Sequence, residues 1–156
     1  MSDRSDTFVY LGSRDTDRGL AACKDLEQEL GADVCAGRLE HLSLDVTDDA
    51  SVAAAAAAVQ SASSGDNSGP LYGLVNNAGV GFGRTVEETL ATNLYGVRCV
   101  TDAFVPLLCS NGRIVNIASA SGPNFVASQS PDAKRFWADP VREEKVVYWH
   151  QGSVVS

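Results

Sequence analysis

No stretch of this sequence holds the roughly 18 to 20 apolar residues in a row that a membrane-spanning helix needs. The opening MSDRSDTFVYLGS also lacks the basic start and long apolar run of a secretory leader, so a cytoplasmic location and no membrane partner are expected. A basic surface is missing too. Twenty acidic residues against twelve lysines and arginines give a net charge of −8, which argues against nucleic acid as a partner. Cysteine is sparse and unpatterned: Cys23, Cys35, Cys99 and Cys109 show no C-x-x-C spacing and no neighbouring histidine cluster. That excludes a metal site and a disulfide framework, and reduced core thiols are expected instead. No internal repeat with a period of about 20 to 50 residues is present.

What is there is the composition of a folded domain. The chain has 156 residues, 44% hydrophobic and 21% charged, enough for one core. Apolar runs of strand length alternate with stretches of helical period. Thr7–Gly12 reads as a buried strand, and Asp15 or Thr16 caps a helix carrying Leu20, Cys23, Leu26 and Leu30. Gly31 stands where a left-handed helix stop belongs. Arg38–Val46 reads as a second strand. The next helix starts at Thr47 or Asp48, and its six alanines, Ala53–Ala58, have high helix propensity and let it lie close to a sheet. Ser61–Pro70 is a loop by composition.

Leu71–Val75 is a third strand. A long helix is predicted over Val86–Cys109, with Leu90, Leu94, Val97, Thr101, Phe104 and Leu108 on one face and Pro106 loosening its last turn. Asn111-Gly112 reads as a turn before a fourth strand, Arg113–Ala118, and the regular pattern fades after Gly122. Alternation of this kind predicts an α/β, Rossmann-type, doubly wound, mainly parallel sheet covered on both faces.

Ligands of such sheets bind beyond the carboxyl ends of the strands. The residues there are Ser13 and Arg14, Asp45 and Val46, Asn76–Gly79, and Ser119–Gly122, all small or polar except Val46. Arg14 suits a bidentate, stacked contact with a phosphate and an adenine, or is a solvated charge near a helix start. Asp45 accepts from an adenine amine or caps the following helix. In Asn76-Asn77-Ala78-Gly79, two amides and two minimal residues suit close approach of backbone to a flat ligand, as they would suit a simple turn. Asn93 breaks a local rule inside a helix, which signals a kink, a site, or a satisfied buried amide. The Ser119 hydroxyl is placed to donate to a carbonyl, a weak signal taken alone.

Together these motifs resemble the short-chain dehydrogenase/reductase family, in its NADPH-linked carbonyl reductase branch. Val9–Asp15 followed by Arg18-Gly19 resembles the family's second strand and helix. Leu44–Thr47 resembles its adenine contact. Val75–Gly79 carries its N-N-A-G, Asn93–Gly96 its N-x-x-G, and Gly112–Ser119 its serine strand. The likeness runs in order over residues 7 to 122. It implies hydride transfer between NADPH and a ketone, aldehyde or quinone carbonyl, a small-molecule substrate. Ser119 would position the substrate oxygen and Asn93 would serve a water relay through a bent helix. Ser13, Arg14, Asp45, Val46, Asn77, Ala78 and Gly79 would bind the cofactor. Ser13-Arg14, with no acid at that strand end, favours NADPH over NADH.

Two departures from the family pattern stand out. The glycine-rich T-G-x-x-x-G-x-G loop and the strand that precedes it in the family are absent before Thr7. That strand lies at the centre of the family's sheet, so two half-sheets with unpaired edges are expected. No Y-x-x-x-K follows Ser119 either; Tyr148, near Lys145 and His150, is the displaced candidate for a proton donor. Residues 1–122 read as a partial dinucleotide-binding domain. Residues 123–156 read as the start of a carbonyl-reductase-type insertion with an irregular tail, the chain being cut at both ends. The rival reading is a non-catalytic cofactor-binding or interaction module, self-associated or completed by a partner chain. A methyltransferase is disfavoured by the N-N-A-G after the third strand. On this reading the purified 156-residue chain reduces no quinone or aldehyde above a Ser119→Ala control, and measurable turnover above that control would overturn it.

Overall fold

Two short strands, β1 (Val9–Ser13) and β2 (Leu39–Ser43), pair in parallel with Ser13 opposite Ser43. The computed structural model describes residues 7–62 and 69–138. Period two sends Ser13 and His41 to one face of this pair and Tyr10 and Leu42 to the other. The first face receives α1 (Thr16–Leu30), the second α3 (Asp49–Ala62). Both faces are therefore covered, as a doubly wound arrangement requires. Asp15 caps α1 by accepting from the Arg18 N–H at 3.0 Å. Gly31 closes the helix at φ +99°, where a side chain would be strained, and its N–H bonds the Glu27 carbonyl. A short helix that the periodicity does not reveal, α2 (Ala32–Cys35), follows directly.

The second pair is also parallel: β3 (Leu71–Asn76) with β4 (Leu108–Asn116). Among the described residues the strands thus form two separate two-stranded sheets, the half-sheets expected from the sequence. Between β3 and β4 the chain runs through α4 (Val86–Leu90), a π-helical turn at Ala91–Gly96, α5 (Val97–Phe104) and a 3₁₀ turn at Val105–Leu107. The helix predicted to reach Cys109 therefore stops earlier. Pro106 cannot donate within a continued α-helix, the last turn tightens, and Leu108 and Cys109 enter β4.

Asn111-Gly112 is not a turn ahead of a strand but a bulge inside one. Two steps along β3, Leu71 to Gly73, oppose five along β4, Leu108 to Arg113. Asn111 adopts φ +68°, a left-handed conformation that asparagine tolerates. Ser61 belongs to α3, where its hydroxyl bonds the Ala57 carbonyl; most of the loop expected over Ser61–Pro70 lies outside the described residues. The pattern does not fade after Gly122. α6 (Ser121–Ala127) spans that point and packs against α7 (Pro131–Ala138), with Phe125 and Trp137 edge to face at 5.9 Å.

One core unites the two sheets. Val52, Ala55 and Val59 of α3 meet Val100 and Phe104 of α5 and Leu107, with Tyr10, Leu42, Leu44, Leu71 and Leu74 packed on them. The alanine run lets α3 sit close, because Ala55 and Ala56 fall on this stripe. The other face of β3 and β4 is bare among the described residues, with Val75 61% and Val115 46% exposed. This departs from the sheet expected to be covered throughout. All four cysteines are thiols, Cys23 and Cys35 buried and Cys99 and Cys109 half-buried. Burial pushes the Cys23 and Cys99 thiols up, with Glu27 and Asp49 respectively reinforcing it.

Phe104 is 3% exposed at the junction of both sheets. Phe104→Ala is expected to cost about 3–5 kcal/mol in urea unfolding. Phe125→Ala, at a side chain 45% exposed, should move the midpoint far less.

Candidate functional site

The π-helical turn brings two strand ends together. Asn93 lies within it, and its side-chain amide reads the Val80 backbone on both sides. Nδ2 donates to the Val80 carbonyl and Oδ1 accepts from the Val80 N–H, each at 2.8 Å. Val80 directly follows the loop Asn77–Gly79, so that loop is fastened to the helix. Gly96, at the other end of the turn, is buried against the end of β2. A Cβ there would stand 2.9 Å from both the carbonyl oxygen and Cγ2 of Val46. The spacing N-x-x-G therefore has a structural reading: the asparagine holds the loop after β3, and the glycine admits the segment after β2. π-turns inserted in α-helices recur at functional sites.

Asn76, the first amide of the run, points elsewhere. It is 8% exposed and donates to Asn116 Oδ1 at 2.8 Å and Thr101 Oγ1 at 3.0 Å. It ties β3, β4 and α5 together, so the pair of amides read from the sequence divides into one structural residue and one exposed residue, Asn77. Ala78 and Gly79 are exposed beside it. A Cβ on Gly79 would lie 3.5 Å from Asn93 Oδ1.

At the end of β2, Asp45 Oδ1 accepts from both the N–H and the hydroxyl of Thr47, at 2.9 and 2.7 Å. Asp48 makes the matching turn one step on, at the start of α3, through the Ala50 N–H. Thr47's hydroxyl and N–H, then the Arg14 guanidinium, hold the Asp45 carboxyl below the usual carboxylate range against the opposing effect of burial. Arg14 and Asp45 are thus electrostatic neighbours across the ends of adjacent strands. Both of the Thr47 bonds fall on the same Asp45 oxygen, Oδ1.

Ser13, also expected at the cofactor, makes two contacts within the protein. Its hydroxyl donates to the Asp15 carbonyl at 2.7 Å and lies 3.0 Å from His41 Nε2. Ser119 is exposed beyond β4, and its oxygen accepts the Ser121 N–H at 3.1 Å. That bond fixes the oxygen and leaves the hydroxyl proton to donate outward. Tyr148, Lys145 and His150 lie outside the described residues.

A dinucleotide fits this edge in part. Arg14 and Asp45 offer a cation and an acceptor for a phosphorylated adenosine, while Asn77–Gly79 offer open backbone. Among the described residues no T-G-x-x-x-G-x-G turn is present to hold a pyrophosphate, and no cluster of His, Cys, Asp or Glu suits a metal ion. No described helix is long and apolar enough to cross a membrane.

The family model described as short chain dehydrogenase matches residues 5–131. This chain belongs to that family. It is 32% identical over 148 residues to human carbonyl reductase [NADPH] 1, covering 89% of this chain and 50% of that protein. It is 34% identical over 133 residues to bovine mitochondrial D-beta-hydroxybutyrate dehydrogenase, covering 80% and 37%. The chain thus spans half or less of the length of these curated relatives. Among solved structures, the NADPH-bound carbonyl reductase from chicken fatty liver superposes with a TM-score of 0.60 at 28% identity, covering 93% of this chain and 64% of that one. The menthone neomenthol reductase of Mentha piperita gives 0.64 at 26% identity, covering 92% and 66%. The helix of this family member that carries Asn93 is interrupted by the π-turn, where the sequence pointed to a kink, a site or a satisfied amide.

Because Asp45 is more acidic when folded, it adds stability above its ordinary value of 3.8 and loses that contribution as pH falls through the folded value. In carbon-detected NMR titrations, Thr47→Val should raise the Asp45 carboxyl further than Arg14→Ala does. The reverse order would contradict the geometry at this strand end.

Proposed function

We propose that this chain forms the adenosine side, the central helix and the serine strand of an NADPH-dependent oxidoreductase. Its substrate is a small molecule carrying a ketone, aldehyde or quinone carbonyl. The observation that carries the reading is the π-turn: through Val46 and Val80 it sets the ends of β2 and β3 on one edge, beside the Arg14–Asp45 pair. Likeness to carbonyl reductases named for NADPH supports this cofactor over NADH, as does an arginine rather than an acid after β1.

The residues divide the work as follows. Arg14 neutralises a ribose phosphate with a planar, bidentate donor set. Asp45 Oδ2 accepts from the adenine amine, and Val46 lines the same end. Asn77, Ala78 and Gly79 present backbone to the nucleoside beyond it. NADPH held there would supply the hydride that reduces the carbonyl carbon. Ser119, its oxygen steadied by Ser121, donates to the carbonyl oxygen and polarises it. The Asn93 amide is spent on Val80, so its part is to position the loop, and any water relay at this point runs through backbone of the π-turn. A general acid must complete the reaction; residues 120–138 hold no tyrosine, and Tyr148 is the one that follows them in the sequence.

The region from Pro123 onward is read as the start of an insertion over the site, with α6 and α7 as its first helices. The rival reading, a non-catalytic module completed by a second chain, draws its support from the two separate half-sheets. It differs in demanding association: a chain that binds NADPH only as a dimer favours it.

Calorimetric titration with NADPH and NADH tests the cofactor. NADPH should bind more tightly, and Arg14→Ala should shrink that preference about tenfold, the worth of one charge-assisted contact. Equal affinity for the two cofactors would sink the reading.

A further inference from the structure

His41 sits in the middle of β2, on the face that receives α1, and nothing in its sequence surroundings marks it. Its Nε2 lies 3.0 Å from Ser13 Oγ. A serine hydroxyl has one proton, and Ser13 spends it on the Asp15 carbonyl at 2.7 Å. The bond from His41 therefore runs from ring to serine, which fixes the ring tautomer with its proton on Nε2. The ring is also enclosed from above. Gly19 of α1 is buried directly over it, and a Cβ there would lie 2.1 Å from His41 Cδ2 and 2.5 Å from Ser13 Oγ. No residue but glycine lets the first turns of α1 seat on the imidazole.

These contacts hold both neighbours of Arg14. Ser13 is fixed by its pairing in β1 and by His41. Asp15 is fixed by Ser13, by its cap to the Arg18 N–H and by its ion pair with Arg18 Nε at 2.9 Å. Arg14 stands between them, exposed, with its guanidinium felt at Asp45. We propose that His41 is a positioning residue that, through Ser13 and the Asp15 carbonyl, aims Arg14 and so sets the preference for a phosphorylated over an unphosphorylated adenosine ribose. This rests on the cofactor reading above. Ser13 then acts as a relay inside the protein, not as a phosphate ligand.

The test compares binding of adenosine 2′,5′-bisphosphate and adenosine 5′-monophosphate to the full chain, each by calorimetry. His41→Leu should lower the ratio of the two affinities about tenfold, as loss of one charge-assisted contact would, with the monophosphate affinity unchanged. His41→Gln, whose amide nitrogen reaches the same point, should restore the ratio, and Gly19→Ala should lower it. Parallel weakening of both ligands in His41→Leu would reduce His41 to a structural residue and overturn the proposal. So would an unchanged ratio in His41→Leu when Arg14→Ala lowers it; that outcome leaves the cofactor reading standing. A ratio indifferent to Arg14→Ala overturns both. Nitrogen NMR of the imidazole in the unsubstituted chain gives a check that needs no variant to fold. The Nε2–H tautomer supports the proposal, and the Nδ1–H tautomer overturns it.

Discussion

A single side-chain amide bonded to both backbone polar groups of one residue organises this edge of the molecule. Asn93 satisfies both polar groups of Val80, and it does so from a stretch of helix wound too loosely to be α. From this turn Asn93 faces the loop after β3 while Gly96, three residues on, faces the end of β2. The turn also lies between the capped start of α4 and the buried face of α5, so it is held at both ends. Thr85 and Glu88 form a reciprocal capping box, and Val100 and Phe104 anchor in the core.

Much of this was legible in the sequence because it is local. Capping at Asp15, the stop at Gly31 and the alternation of strands and helices are written in neighbouring residues, as is the loosened turn at Pro106. The polar strand ends were legible for a more general reason: parallel strands put their carboxyl ends on one edge whatever the packing details. Asn93 was visible as an anomaly, since an asparagine inside an apolar helix has to be explained by something outside it.

What stayed hidden depends on partners distant in the chain. The role of Asn76 is decided by Thr101 and Asn116, 25 and 40 residues away, and nothing in N-N-A-G separates the buried amide from the exposed one. Ser13 is read as a ligand because it ends a strand, and its contact with His41, across 28 residues, left no trace in the sequence. His41 gave no signal at all, being one imidazole in a short strand. The bulge at Asn111-Gly112 was mistaken for a turn because both use the same residue types, and only the pairing with β3 distinguishes them. The short helices α2, α6 and α7 are too brief for periodicity to reveal.

That bulge bears on how such a chain tolerates changes of length. Successive residues of a strand face opposite ways, so a slip of one residue would reverse every side chain beyond it. Here β4 pairs with β3 on both sides of the irregularity, and the three surplus residues are gathered where Asn111 turns left-handed and Gly112 packs tightly against Leu108 and Cys109. The run from Arg113 to Asn116 takes its register from Gly73–Asn76, not from the count of residues since Leu108. A deletion or insertion at the bulge would be absorbed there, and Ser119 would keep its face through the change.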